Sequence, residues 1–373
     1  FFLFFHNMIR VMILHTLSLC MIVKNEKKTL PRCLKSVFGI FDEIIIADTG
    51  STDGTVKAAE QYTDKIFSFP WCDDFSAARN FAFSKAVCDY LMWLDADDVI
   101  LPADSEKLFR LKNSLNGSQD DIMMPYHTAF DDNGNPSFSF YRERIFKRER
   151  GFRWQGRVHE AVVYGGNIVY SDAAVTHKSI KKQYSERNLN IYLKQEKLGE
   201  PFSPRDQFYF GRELYYHRHY ALASAVLTEF LEQGGGWVEN NIEACKFLAF
   251  CLKETKGKDA ALRALFCSFL YGAPRAEICC EIGNIFMEKE NFETAAFWFE
   301  RALASDPPEH SGAFVDRSAY GFVPALQLAV CYDRLGNKEK ANRYNEIAGS
   351  FRPNSKEYLY NKTYFQSVLR NEN

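Results

Sequence analysis

Three short apolar runs, Leu17–Val23 (LSLCMIV), Glu43–Ala47 (EIIIA) and Tyr90–Leu94 (YLMWL), place the strongest constraint on the fold of this chain. Each is too short for a buried helix and breaks off into a polar loop. Each therefore predicts a strand covered on both faces. Helix signals lie between them. Thr29 ahead of Leu30-Pro31 predicts a capped helix start. Thr55–Tyr62 and Phe75–Ala86 read as two more helices, with a short strand at Lys65–Phe69. Strands alternating with helices predict an α/β domain on a doubly wound, mostly parallel, Rossmann-like sheet. Such sheets bind ligands at the carboxyl ends of their strands. Three polar clusters fall there: Lys24–Glu26, Asp48–Asp53 and Asp95–Asp98.

Residues 120–178 change character, with short β-like runs and many aromatics, and predict an antiparallel extension of the sheet. From about Lys181 the signal is helical, and it repeats. The tetratricopeptide pattern asks for small residues where paired helices approach and large ones between them. A copy starting at Ala276 supplies Gly283, Phe286, Ala295, Phe299, Ala302 and Pro307. A second starts at Phe322, a third at Pro204 with Gly211 and Leu227, and a fourth near Asn241 with Leu248 and Ala264. The 46-residue gap between the starts at 276 and 322 implies an insertion near His310–Gly321. The expected domains are a tail over 1–16, an α/β domain over 17–180, a helical linker over 181–203 and helical repeats over 204–373.

Charge and cysteine use narrow the partners. Lys and Arg number 46 against 48 Asp and Glu, a net charge of −2, which argues against a nucleic-acid backbone as the main partner. The 33 Phe and 19 Tyr argue against disorder. The ten cysteines form no CxxC pair, so a zinc ribbon or thioredoxin-like site is not indicated, and buried reduced thiols in a cytoplasmic protein are expected. Residues 1–23 are apolar but interrupted by His6, Asn7, Arg10 and His15, which suits neither a spanning helix nor a clean signal peptide. A peripheral membrane anchor is the other reading of that stretch.

Four motifs can carry chemistry. In LMWLDADD a buried strand delivers Asp95 and Asp97, and alternation predicts that they point to the same side. Carboxylates there suit Mg²⁺ or Mn²⁺ holding phosphate oxygens; a solvated loop or helix cap is the plainer reading. In IIIADTGSTDGT, Asp48 can accept from a base or ribose, and Ser51 and Thr52 are expected to cap the next helix. In WCDDFSAARN, Asp74 predicts a cap on a helix carrying Ser76 and Arg79. Arg79 is expected to pair with a phosphate or with Asp97, or to form a structural ion pair. In GFRWQGRVHE, His159 can complete a metal site and Glu160 can act as a base; His177, in AAVTHKS, is the other histidine.

In this order the motifs resemble a family 2 glycosyltransferase of GT-A fold. The nearest branch carries C-terminal tetratricopeptide repeats and includes the glycocin (sublancin-type) S-glycosyltransferases. The resemblance implies a UDP-sugar donor, a divalent metal and inversion at the anomeric carbon. By position it implies that Val23, Asn25, Glu26 and Asp48 hold the uridine and that Asp95 contacts the ribose or a metal-bound water. It implies that Asp97 binds the metal together with His159 or His177, and that Asp74, Ser76 and Arg79 lie near the sugar and diphosphate. Glu160 is our choice of base. Asp48-Thr49 departs from the paired acids of many relatives. The expected acceptor is a peptide, protein or glycan, with the repeats binding a peptide or forming a homodimer. Two other readings compete. One is a non-catalytic nucleotide-sugar-binding scaffold. The other is a sugar nucleotidyltransferase, which needs a Gly-rich loop after the first strand, where this chain has Lys24-Asn25-Glu26.

Overall fold

The computed structural model describes residues 14–131, 134–180, 185–308, 312–313 and 315–371. Most of the 1–16 tail, the start of the 181–203 linker and part of the insertion near 310–321 lie outside the described residues. The chain divides into two compact units. One combines residues up to 126 with 142–182; the other combines 127–141 with residues from 183 onward.

The first unit is built from β1 (Leu17–Val23), α1 (Leu30–Ser36), β2 (Glu43–Asp48), α2 (Thr55–Ala59), β3 (Ile66–Ser68), α3 (Phe75–Lys85), β4 (Tyr90–Trp93), β5 (Asp98–Val99) and α4 (Pro102–Ser114). These are followed by β6 (Asp121–Phe130), β7 (Pro136–Lys147), β8 (Trp154–Gln155), β9 (Ala161–Val162), β10 (Ile168–Tyr170) and β11 (Val175–His177), of which the end of β6 and the start of β7, within residues 127–141, belong to the second unit. The sheet order is β3-β2-β1-β4-β7-β6-β11-β5, with β10 beside β6. β1 pairs in parallel with β2 and β4, and β2 with β3, whereas β7 runs antiparallel to β4 and β11 to β5. The mostly parallel core and its antiparallel extension are thus both present, although β10 joins β6 in parallel.

The apolar runs become strands because both of their faces find cover. Leu17, Leu19, Met21 and Val23 share one core with Leu30, Cys33 and Leu34 of α1 and Leu108 of α4. Cys20, with Ile45, Ala47 and Trp93, belongs to a second core with Ala82 and Phe83 of α3, Phe146 and Trp154. The two-residue period of a strand assigns alternate side chains to opposite faces. Each fully buried aliphatic side chain is worth roughly 1.5–3 kcal/mol.

Local details differ from the sequence reading. Thr29 precedes α1, but its hydroxyl donates to Glu26 Oε2 at 2.5 Å instead of capping the helix. α2 stops at Ala59, short of Tyr62, and its N-cap is Gly54. Ser51 and Thr52 therefore do not cap it. They tie the β2 loop to Asn25: Asn25 N donates to Ser51 Oγ (3.0 Å), and Thr52 N donates to Asn25 Oδ1 (2.8 Å).

The second unit holds α5 (Arg187–Lys197), α6 (Pro204–Tyr216), α7 (Tyr220–Gln233), α8 (Val238–Lys256), α9 (Lys258–Cys267), α10 (Ala276–Glu288), α11 (Phe292–Leu303), β12 (Val315–Asp316), α12 (Phe322–Arg334), α13 (Lys338–Phe351) and α14 (Lys356–Asn371). β12 pairs antiparallel with β7, Val315 opposite Ser139. It occupies the gap between the repeats starting at 276 and 322. Three repeat starts coincide with helix starts; the fourth helix begins at Val238, three residues before the expected 241. Small residues sit where the helices meet. A Cβ on Gly211 would lie 2.6 Å from Leu227, and one on Gly283 would lie 2.8 Å from Phe299. α8 and α9 invert the sizes, with Leu248 and Ala264 both buried at the matching positions.

No helix among the described residues is long and apolar enough to cross a membrane. Their cysteines are all unpaired. Eight are buried as expected, but Cys72 and Cys267 are exposed.

Candidate functional site

The parallel pairing of β2, β1 and β4 brings their three carboxyl-end loops side by side. The first two are stitched together through backbone groups. Thr49 N donates to Val23 O (2.9 Å), and Glu26 N donates to Thr55 Oγ1 (2.7 Å). Asp48 is buried and accepts from the amides of Gly50 (3.2 Å) and Ser51 (3.1 Å). Its position is explained first as a turn-closing carboxylate, like an Asx turn. Val23 and Asp48 thus end two paired strands, with Asn25 and Glu26 on the loop that follows the first. Asn25 holds a left-handed backbone (φ 57°), a conformation that Asn tolerates better than most residues.

At the third loop, strand alternation fails. β4 ends at Trp93, and residues 95–98 form a tight turn closed by Asp98 N donating to Asp95 O at 3.0 Å. Asp95 and Asp97 therefore go to different partners instead of pointing together. Asp95 accepts from Arg79 Nη2 at 2.7 Å; Asp97 Oδ1 lies 3.6 Å from His177 Nδ1. This corrects the expected Arg79–Asp97 pair. Neither Asp97 nor Asp98 caps α4, whose N-cap is Leu101.

Around Asp97 a compact donor set forms. Asp97, Asp98 and His177 each offer a ligand atom within 4.8 Å of the others. Asp98 is fully buried and held by Arg144 Nη1 (3.2 Å), the Asp95 amide (3.1 Å) and the Tyr126 hydroxyl (2.9 Å). Arg144 is itself fully buried, with its guanidinium 3.7 Å from the centre of the Trp93 ring. The Tyr126 oxygen lies 3.0 Å from His177 Nδ1. The same nitrogen lies 3.5 Å from Asp98 Oδ1, so Nδ1 faces the Tyr126 oxygen and both carboxylates. Hydrogen bonding to Asp98 lifts the His177 imidazole above its ordinary value, against the effect of burial. Burial raises Asp97 as well; His177 opposes this, and Asp95 and Asp98 add to it. Two carboxylates and an imidazole, with crowded negative charge, fit a divalent cation.

His159 stands outside this cluster, so of the two candidate histidines only His177 is brought to Asp97. His159 occupies the turn between β8 and β9 with φ 50°. Asp98, Tyr126 and Arg144 were missed by sequence reasoning. Arg144 is one of several charges in RERIFKRER, and no local signal sets it apart.

A second cluster centres on Arg79. Its Nε donates to Glu160 Oε1 at 2.6 Å while Nη2 holds Asp95. Trp93 and Trp154 cover it, with ring centres 4.7 and 4.8 Å from the guanidinium carbon. Burial pushes the Asp95 carboxyl up, but the charge and hydrogen bond of Arg79 outweigh it and leave it below its ordinary value. Asp74 is the N-cap of α3 as expected, accepting from Ala77 N (2.9 Å) and from Ser76 Oγ (2.8 Å).

Comparison with known proteins agrees with both halves of this picture. Residues 18–177 match the model for "Glycosyl transferase family 2", and residues 276–309 match that of the tetratricopeptide repeat. The chain is 31% identical over 212 residues to the prophage-derived glycosyltransferase SunS of Bacillus subtilis, which covers 54% of this chain and 49% of that protein. It is 37% identical over 147 residues to a TPR repeat-containing protein of Synechococcus elongatus, covering 39% of this chain and 35% of the relative. The chain thus spans between a third and a half of the length of these curated relatives. Among solved structures, it is similar to the crystal structure of MamA (16% identity, TM-score 0.35, 43% of this chain and 84% of that one). It is also similar to a glucosyl-3-phosphoglycerate synthase from Mycobacterium tuberculosis in complex with Mn²⁺ and UDP-glucose (15% identity, TM-score 0.34, 51% of this chain and 81% of that one). Both likenesses are too partial to bear on function.

Proposed function

We propose an inverting, metal-dependent transfer of a hexose from a UDP-sugar to a peptide, protein or glycan acceptor, a reading supported by the matches of residues 18–177 and 276–309 to the two family models. The observation that carries this reading is the meeting of Asp97 and His177 beside the buried Asp98, at the carboxyl end of the central strands. Asp97 and His177 are the residues that would hold Mg²⁺ or Mn²⁺, with Asp98 behind them as an orienting group. When bound, the cation supplies positive charge where the departing diphosphate becomes more negative.

The chain's own residues do the rest. The loops bearing Val23, Asn25, Glu26 and Asp48 form the uridine side, and Asp95 stands between them and the sugar. Asp74 and Ser76 lie at the start of α3, on the sugar side. In a single displacement the acceptor heteroatom bonds to the anomeric carbon as the carbon–oxygen bond to the diphosphate breaks. The acceptor's proton passes to Glu160. The repeats take the acceptor or a second copy of the chain, as stacked helical repeats do.

The test is UDP release from a panel of UDP-sugars with Mn²⁺, Mg²⁺ or EDTA, for wild type and Asp97→Asn. The expected result is release that EDTA abolishes and that Asp97→Asn lowers by about 100-fold or more, at an unchanged melting temperature. Full activity in Asp97→Asn overturns the metal assignment. Neither release nor UDP binding in the wild type favours the scaffold reading.

A further inference from the structure

The environment of Arg79 gives it a role different from that of a diphosphate ligand. Its guanidinium is covered by Trp93 and Trp154, and two of its nitrogens are committed to Glu160 and Asp95. One cation between two carboxylates leaves the trio net negative, a poor place for a diphosphate. Only 7% of Arg79 is exposed. The neighbouring residue anchors the same loop: Asn80 Nδ2 donates to Trp154 O, and Trp154 N donates back to Asn80 Oδ1, both at 2.9 Å. At the start of the helix, Phe75 N donates to Arg157 O at 2.9 Å. Helix α3 therefore binds the 154–160 loop at its start and in its middle, while Arg79 ties that loop to the end of β4.

We infer that Arg79 is a positioning residue, which joins Asp95 at the strand end to Glu160 in the loop and so holds the Glu160 carboxylate where the acceptor's proton is removed. The inference rests on the proposed transfer reaction. A planar cation packed against two adjoining indoles fixes two hydrogen-bond directions at once, which the single ammonium of a lysine does not. Asn80 supports the same placement through the backbone of Trp154.

The experiment is a double-mutant cycle of Arg79→Lys and Glu160→Gln. It is read as UDP release, with Mn²⁺, from the UDP-sugar that wild type hydrolyses fastest. UDP and uridine affinities are measured by titration alongside. If Arg79 acts through Glu160, each single change lowers kcat by about 100-fold with KM within about threefold, and the double variant is no more than about threefold below either. The ratio of UDP to uridine affinity stays at its wild-type value. Multiplying losses, or a tenfold fall in that ratio, assigns Arg79 to the diphosphate and overturns the inference. Should Arg79→Lys not fold, Asn80→Ala loosens the same loop with Arg79 in place; it is expected to lower kcat about tenfold at constant KM, and an unchanged kcat counts against the inference. A wild type without turnover counts against the transfer reading instead. The affinity ratio then decides the role of Arg79, and binding of neither UDP nor uridine overturns both.

Discussion

The strand ends of the α/β unit and the helix pairs of the repeat unit both bury large side chains, but they do so by different rules. Around β4 the buried groups are charged: Arg79, Asp98 and Arg144 are all buried, and each is matched by an opposite charge and by aromatic rings. In the repeats the matching is of size, with Gly211 against Leu227 and Gly283 against Phe299. A charge network fails when one partner is lost, whatever the volume of its replacement. A size match fails when the volume changes, and it recovers when the facing residue changes to suit.

The largest effect that sharpens this contrast is expected at Arg144. Methionine nearly preserves its volume, yet Arg144→Met leaves the Asp98 carboxylate buried without its cation and is expected to cost about 3–5 kcal/mol. Urea denaturation checks this; a cost under about 1 kcal/mol breaks the comparison. At Gly283 the expected loss is smaller. Gly283→Ala brings a methyl group against Phe299 and is expected to cost about 1–3 kcal/mol, most of it recovered by adding Phe299→Leu. No recovery in the double variant means that size is not what pairs these helices.

Asp121 supplies the sharpest exception. It is fully buried at the start of β6, and neither carboxylate oxygen has a hydrogen-bond partner among the described residues. Burial, with Glu143 nearby, pushes its carboxyl up to about 8. The folded state therefore holds a proton that the unfolded state releases above about pH 4, so stability falls as pH rises from about 4 to about 8 and then levels off. Asp121→Asn removes that slope. Its advantage over wild type is expected to grow steadily from near zero at pH 4 and to level off near pH 8, read from urea midpoints at several pH values. An advantage that shrinks with pH contradicts the burial argument.

Much of the architecture was legible because it rests on short-range periodicity. LSLCMIV and YLMWL read as doubly covered strands, and they are buried on both faces. Gly211 and Gly283 appeared at the spacing where helices approach, and the helices do meet there. Local capping was legible only in part: Asp74 caps α3, whereas Thr29 turned back to Glu26 in its own loop, and Ser51 and Thr52 found Asn25 on the neighbouring one. A short polar side chain near a helix start has several acceptors within reach, and the adjacent loop decides among them.

The sequence by itself determined the elements, the order in which the acidic loops follow the strands, and the repeat register, because these depend on residues a few positions apart. Only the tertiary structure decided which charges meet. Asp95 and Asp97 stand two residues apart and were expected on one side. The turn that follows β4 sends one to Arg79 and the other to His177. His177 and not His159 reaches the acidic cluster, because the antiparallel pairing of β11 with β5 sets Thr176 and His177 opposite Val99 and Asp98. That pairing joins residues about 80 positions apart, and no local pattern encodes it. Long-range register places these charges, and once they are buried each one needs a partner.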